Sequence, residues 1–167
     1  MSEKQEIFSS QIKSTGIFNF AEFYKFCHTY LTEEFGLLVF EKKYKEKLKG
    51  DLKEHEIKWT GVQEVTDYFK FEVKIDMTTE KLAQVEIKQG DAKIKTNSGA
   101  VKMKVKGNLI RDYKGKFDTS AFRKILRSIY DRFVIPSRIE QFELKLIGDC
   151  DEFLGQAKAF LDLEGKR

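Results

Sequence analysis

Three residues of one short segment have the types and the spacing of phosphate chemistry: Glu54, Glu56 and Lys58. Successive side chains of a strand point to opposite faces, so these alternate positions share one face. Two carboxylates side by side can hold a divalent cation, and an ammonium beside them can hold a phosphate oxygen. Such an enzyme also needs guanidinium groups to grip phosphate bidentately, and Arg111 is the one arginine expected on a strand. Charged residues make up 35% of the chain, so a Glu-x-Glu-x-Lys triplet arises readily by chance. The default reading is a solvated strand face.

The other reactive side chains form no constellation. His28 and His55 lie far apart and lack companions for a metal site. Cys27 precedes His28, but neighbours on a helix point about 100° apart, so the pair makes no thiolate and base. Glycine-rich phosphate loops, nucleophile elbows and metalloprotease motifs are missing from the sequence. No catalytic residue, metal ligand or cofactor is therefore assigned. Cys27 and Cys150 fall on apolar helix faces and read as buried thiols of a reducing compartment.

A second feature is charge without chemistry. Lys102, Lys104 and Lys106 make a stripe, with Lys93 and Lys95 on a neighbouring strand, that can attract phosphates or anionic lipid heads. Glu72, Asp76 and Glu86 stand ready to pair with them, which favours a solvated, edge-protecting face. Tyr68 is the one aromatic assigned to that face, so the stacking platform of a single-strand nucleic-acid binder is not expected. Across the chain, 31 basic residues against 27 acidic ones leave a net charge of only +4, so no global field favours nucleic acid.

The elements that position these residues follow from periodicity. A first strand is expected over 6–13, ended by Gly16. A helix follows, with Asn19 as N-cap, Glu22 closing a capping box, an apolar stripe of Phe20, Phe23, Tyr24, Cys27 and Leu31, and a stop at Gly36. From 37 to 113 the period drops to two. Strands are expected over 37–47, 55–65, 68–77, 85–88, 92–95 and 101–106, separated by Gly50, Gly90, Asn97 and Gly99, with Gly90-Asp91 as a tight hairpin. Asp118, Thr119 and Ser120 offer N-caps for a helix carrying Phe122, Ile125, Leu126, Ile129 and Phe133. From Pro136 to Leu163 one long helix carries Ile139, Phe142, Leu146, Cys150, Phe153, Ala157 and Leu161. At 167 residues, 41% of them hydrophobic, this is one domain with one core. Its class is α+β: a curved antiparallel sheet of about six or seven strands, with an N-terminal helix and a long C-terminal helix packed on its apolar face.

That order of elements resembles the helix-grip fold of the START and birch-allergen-like superfamily. The stretches Thr66-Asp67-Tyr68-Phe69, Arg111-Asp112-Tyr113 and Ser128-Ile129-Tyr130-Asp131 are similar to uncharacterised archaeal proteins. The helix-grip resemblance implies a cavity between sheet and last helix that holds an apolar small molecule or lipid. Phe69, Phe71, Ile75, Met103, Phe142, Leu146 and Phe153 are the residues expected to line it. The triplet at 54–58 in turn resembles the motif of the CYTH, or triphosphate tunnel, family, and implies a phosphatase. A non-enzymatic binding domain is the leading expectation, with the tunnel phosphatase and a protein-interaction scaffold as alternatives. With neither a signal-peptide pattern nor 18 uninterrupted apolar residues, the expected location is cytoplasmic, without a membrane span.

Overall fold

A computed structural model describes residues 3–114, 121–129, 132 and 136–165. The chain opens with β1 (Glu3–Phe18), so the helix expected at the N-terminus stands second, as α1 (Phe20–Thr29). Four strands follow: β2 (Leu38–Lys49), β3 (Leu52–Glu64), β4 (Phe69–Gln89) and β5 (Ala92–Arg111). Two helices, α2 (Ala121–Ile129) and α3 (Pro136–Gly165), complete it. All five strands form one antiparallel sheet in the order β1-β5-β4-β3-β2.

The strand count is five rather than six or seven because two expected breaks are absorbed. The segments 68–77 and 85–88 are one strand, bent by an irregularity between Glu80 and Ala83. Opposite it, Gly99 stays inside β5, because a Cβ there would stand 2.9 Å from the Lys81 carbonyl oxygen. Asn97, which reads as a turn residue, also stays in the strand. Its side chain accepts the Phe20 backbone N–H at 3.0 Å and so pins the start of α1 to the sheet. Gly16 likewise lies within β1 instead of ending it. The Gly90-Asp91 hairpin forms where expected, between Gln89 and Ala92.

Local signals account for α1. Asn19 accepts the Glu22 N–H at 3.0 Å, as an N-cap should. The helix then widens into a π-helical turn over Tyr30–Glu34, closed by Phe35 N–H on the Tyr30 carbonyl at 2.9 Å. Gly36 takes φ of +83°, and the Leu37 N–H returns to the Leu31 carbonyl, so the widened helix stops at a left-handed glycine.

The dry face of the sheet carries Ile57 and Trp59 of β3, Phe69 to Met77 at alternate positions of β4, and Val101, Met103, Val105 and Leu109 of β5. Helices α1 and α3 share that face, and Phe23 and Phe26 of α1 meet Phe160 of α3 at centroid distances of 5.7 and 5.0 Å. As its stripe requires, α3 is one 30-residue helix that buries Leu146, Cys150, Phe153, Ala157 and Leu161. It lies close at Gly107, where a Cβ would stand 3.1 Å from the Cys150 sulfur. In contrast, α2 leaves its stripe outside the core: Phe122, Ile125, Leu126 and Ile129 are exposed. The N-cap candidates Asp118, Thr119 and Ser120, and Phe133, lie outside the described residues. Among the described helices none is long and apolar enough to cross a membrane.

Candidate functional site

The seven apolar candidates all enter the core. Phe69, Phe71, Ile75, Met103, Leu146 and Phe153 are fully buried, while Phe142 is half-buried against the same cluster. They meet protein rings: Phe69 lies 5.0 Å from Phe142, and Phe153 lies 5.6 Å from Tyr30. Four clefts open on the wet face and beside α1.

The phosphate-type triplet lands as alternation demands, with Glu56 and Lys58 on the wet face opposite Thr78 and Asp76. Its carboxylates are already engaged. Lys43 donates to Glu56 at 3.0 Å and holds its carboxyl below the ordinary range, and Lys49 stands 3.2 Å from Glu54. The sheet bearing them has β1 and β2 as its two edges, so the three residues lie on an open face. No group of three metal-ligating side chains occurs among the described residues.

Register makes the rest of the wet face more specific than the sequence stripe. Three adjacent rows cross the sheet there. One runs Lys45, Glu56, Thr78, Lys102, Lys13; the next Lys43, Lys58, Asp76, Lys104, Gln11; the third Phe40, Thr60, Lys74, Lys106, Ser9. Lysine thus stands directly opposite lysine three times, at Lys13 and Lys102, Lys43 and Lys58, and Lys74 and Lys106. Lys58, Lys102 and Lys104 have no ion pair among the described residues. A shallow cleft of about 310 Å³ opens on this face between Lys42, Lys58, Lys74, Lys104 and Lys106 around Asp76. Other lysines of these rows have carboxylate partners: Lys43 holds Glu56, Lys106 stands 4.0 Å from Glu6, and Lys74 shares Glu72 with Lys4; although burial raises the Glu72 carboxyl, these partners leave it below the ordinary range. Lys93 and Lys95 instead face Lys88 and Glu86 near the tip of the β4–β5 hairpin. Tyr68 does not share the wet face; it is buried edge-on against Phe69 just before β4. Phe40 is the aromatic of those rows, 45% exposed, with the Lys42 ammonium 5.3 Å above its ring.

A second cluster escaped sequence reasoning because a bulge creates it. Between Glu41 and Lys43 the β2–β3 register slips by one residue, so Lys43 faces the wet side while Tyr44 turns to the dry side, opposite Ile57. Glu41 and Tyr44 then both face α1. Tyr24 and the Trp59 indole N–H both donate to Glu41 Oε2, the latter at 3.0 Å. Burial, together with the Glu41 carboxylate, pushes the Tyr24 hydroxyl up to about 12, so Tyr24 remains a donor. Beside them His55 is stacked on Phe20 at 4.4 Å, with Nδ1 2.8 Å from Thr79 Oγ1, and burial lowers its pKa. The irregular spacing of Glu41 and Tyr44 was the only signal, and strict alternation hides it.

The thiols are inert. Both are buried and unpaired, and desolvation raises Cys27 far above and Cys150 to about 12, so neither is a nucleophile at neutral pH. No family model, curated protein or solved structure matches the chain.

Proposed function

We propose that the protein is a non-catalytic binding domain whose central lysine face receives a phosphate-rich ligand. The observation that carries this reading is the set of three lysine-on-lysine cross-strand neighbours in adjacent rows. Like charges directly opposite on a sheet destabilise it, and Lys58, Lys102 and Lys104 have no carboxylate partner to offset this among the described residues. A ligand bearing several phosphates relieves that repulsion on binding. The open sheet, the engaged carboxylates of Glu54 and Glu56 and the lack of strand arginines beside them disfavour a phosphatase.

Titration with inorganic polyphosphate, in parallel with vesicles containing a phosphorylated inositol lipid, tests the proposal and separates a free ligand from a headgroup. Binding should weaken steeply as salt rises through the range in which exposed charges are screened. It should fall at least about tenfold in the Lys58→Glu, Lys104→Glu double variant. Absence of binding at low salt, or binding indifferent to the variant, refutes the reading. Metal-dependent phosphate release that disappears in Glu56→Ala would restore the enzyme. An apolar molecule retained in native mass spectrometry would instead move the ligand to the interior under α3.

A further inference from the structure

We propose that the groove between α1 and β2 seats a trimethylammonium group, with Phe20, Tyr24 and Tyr44 as aromatic walls and the Glu41 carboxylate as counter-charge. This site lies on the opposite face from the lysines and selects the opposite sign. Its cavity of about 390 Å³ is bounded by those four side chains and Ala21, whose single methyl keeps the helix side open. The Tyr24 and Tyr44 rings stand 6.1 Å apart at 84°, and Phe20 lies 6.4 Å from Tyr24 at 54°. Three rings and a carboxylate thus border one volume, the combination by which proteins hold quaternary ammonium groups. Trp59 braces Tyr24 from behind at 5.0 Å.

The charge balance points the same way. Glu41 is held by two neutral donors on Oε2, and no cation stands within 4 Å of it among the described residues. Its lysine neighbours in sequence are turned to the other face, Lys42 over Phe40 and Lys43 on Glu56. A carboxylate beside aromatic rings and without a cation is a poor seat for a neutral apolar guest, which would desolvate the charge uncompensated. An ordinary ammonium is compact and strongly hydrated, whereas a trimethylammonium spreads its charge over methyl groups that pack on rings. The β2 bulge is the device that assembles the site, because without it Tyr44 would face the lysines.

Choline and its neutral isostere 3,3-dimethyl-1-butanol, titrated into the full chain, separate charge recognition from simple apolar burial. Trp59 is the only tryptophan and touches both Tyr24 and Glu41, so its emission reports occupancy, with calorimetry as a second readout. Choline should bind at least about tenfold more tightly than the isostere, within the range that a desolvated cation over aromatic rings supplies. Phosphatidylcholine vesicles, run alongside, distinguish a lipid headgroup from a free small molecule. Tyr44→Ala should lose the response while keeping the fold, since Tyr44 is 49% exposed. Glu41→Gln should lose it too, because its carbonyl still accepts from Tyr24 and Trp59 but carries no charge. No response to choline or vesicles, equal binding of the isostere, or unchanged binding in both variants overturns the proposal.

Discussion

The two halves of the dry face are covered by helices of different reach, and they differ in chemistry accordingly. Under α3, a helix of about 45 Å at 1.5 Å per residue, β5 is sealed by apolar side chains and a glycine lets helix and sheet touch. Under α1 and its π-helical turn, together half as long, β3 is sealed but the edge strand β2 projects past the cover. Beyond Val39, which still packs against the core, its dry side carries the polar and aromatic Glu41 and Tyr44. A helix that outreaches its strands makes core; one that falls short leaves a rim where a carboxylate and open rings are tolerated. Recognition chemistry collects at that rim.

Truncation measures the contrast most directly. Phe153→Ala, under α3, should cost about 3 to 5 kcal/mol in denaturant unfolding, the usual penalty for a buried aromatic. Phe142→Ala should cost distinctly less, because Phe142 is only half-buried. Equal losses would show that the first turns of α3 are as sealed as its middle. Where α3 lies against Gly107, Gly107→Ala should destabilise by about 1 to 3 kcal/mol through overpacking against Cys150 and Leu146, as read from the shift in unfolding midpoint. A neutral Gly107→Ala would mean that α3 can lift from the sheet without cost.

The rim should respond to acid where the sealed half does not. His55 has its pKa lowered in the folded protein, first by burial and then by Lys53, so the unfolded chain binds the proton more readily. Stability is therefore fully present above the unfolded histidine pKa of about 6.5 and falls as pH drops below it. His55→Gln, which can still bond Thr79, should flatten that slope in unfolding curves measured between pH 7 and 5. A slope unchanged in the variant would assign it to other groups.

The smallest effect concerns the wet face and has an unusual sign. Lys102→Glu places an acid opposite Lys13, and chemical denaturation should show a gain of roughly 0.2 to 1 kcal/mol. Phosphate-ligand affinity should fall in the same protein. Lower stability together with unchanged affinity would mean that the lysine pairs carry no repulsion worth relieving.

Alternation, capping and stripe spacing are legible without a structure because each depends on residues a few positions apart. They placed α1 with its Asn19 cap and Gly36 stop, the Gly90 hairpin, the apolar set from Phe69 to Met77, and α3 as one helix through Gly148. The same local rules misjudged Asn97 and Gly99 as breaks. Their roles lie across the sheet, the first binding the start of α1 and the second making room for the kink at Lys81 and Leu82. They also placed α2 as a helix, but its exposed Phe122, Ile125, Leu126 and Ile129 show that a stripe does not name what it packs on.

The sequence by itself determined the dry and wet sides of the regular strand segments, and hence that a lysine-rich face and an aromatic core exist at all. Two-residue and 3.6-residue periods are properties of one segment, and water sorts them. Only the tertiary structure decided the partners. Strand order set lysine against lysine, and a one-residue bulge carried Tyr44 across the sheet to Glu41 and Tyr24. Pairing register is a relation between two strands, and a slip of one residue exchanges faces, so the alternation of one segment does not by itself encode it.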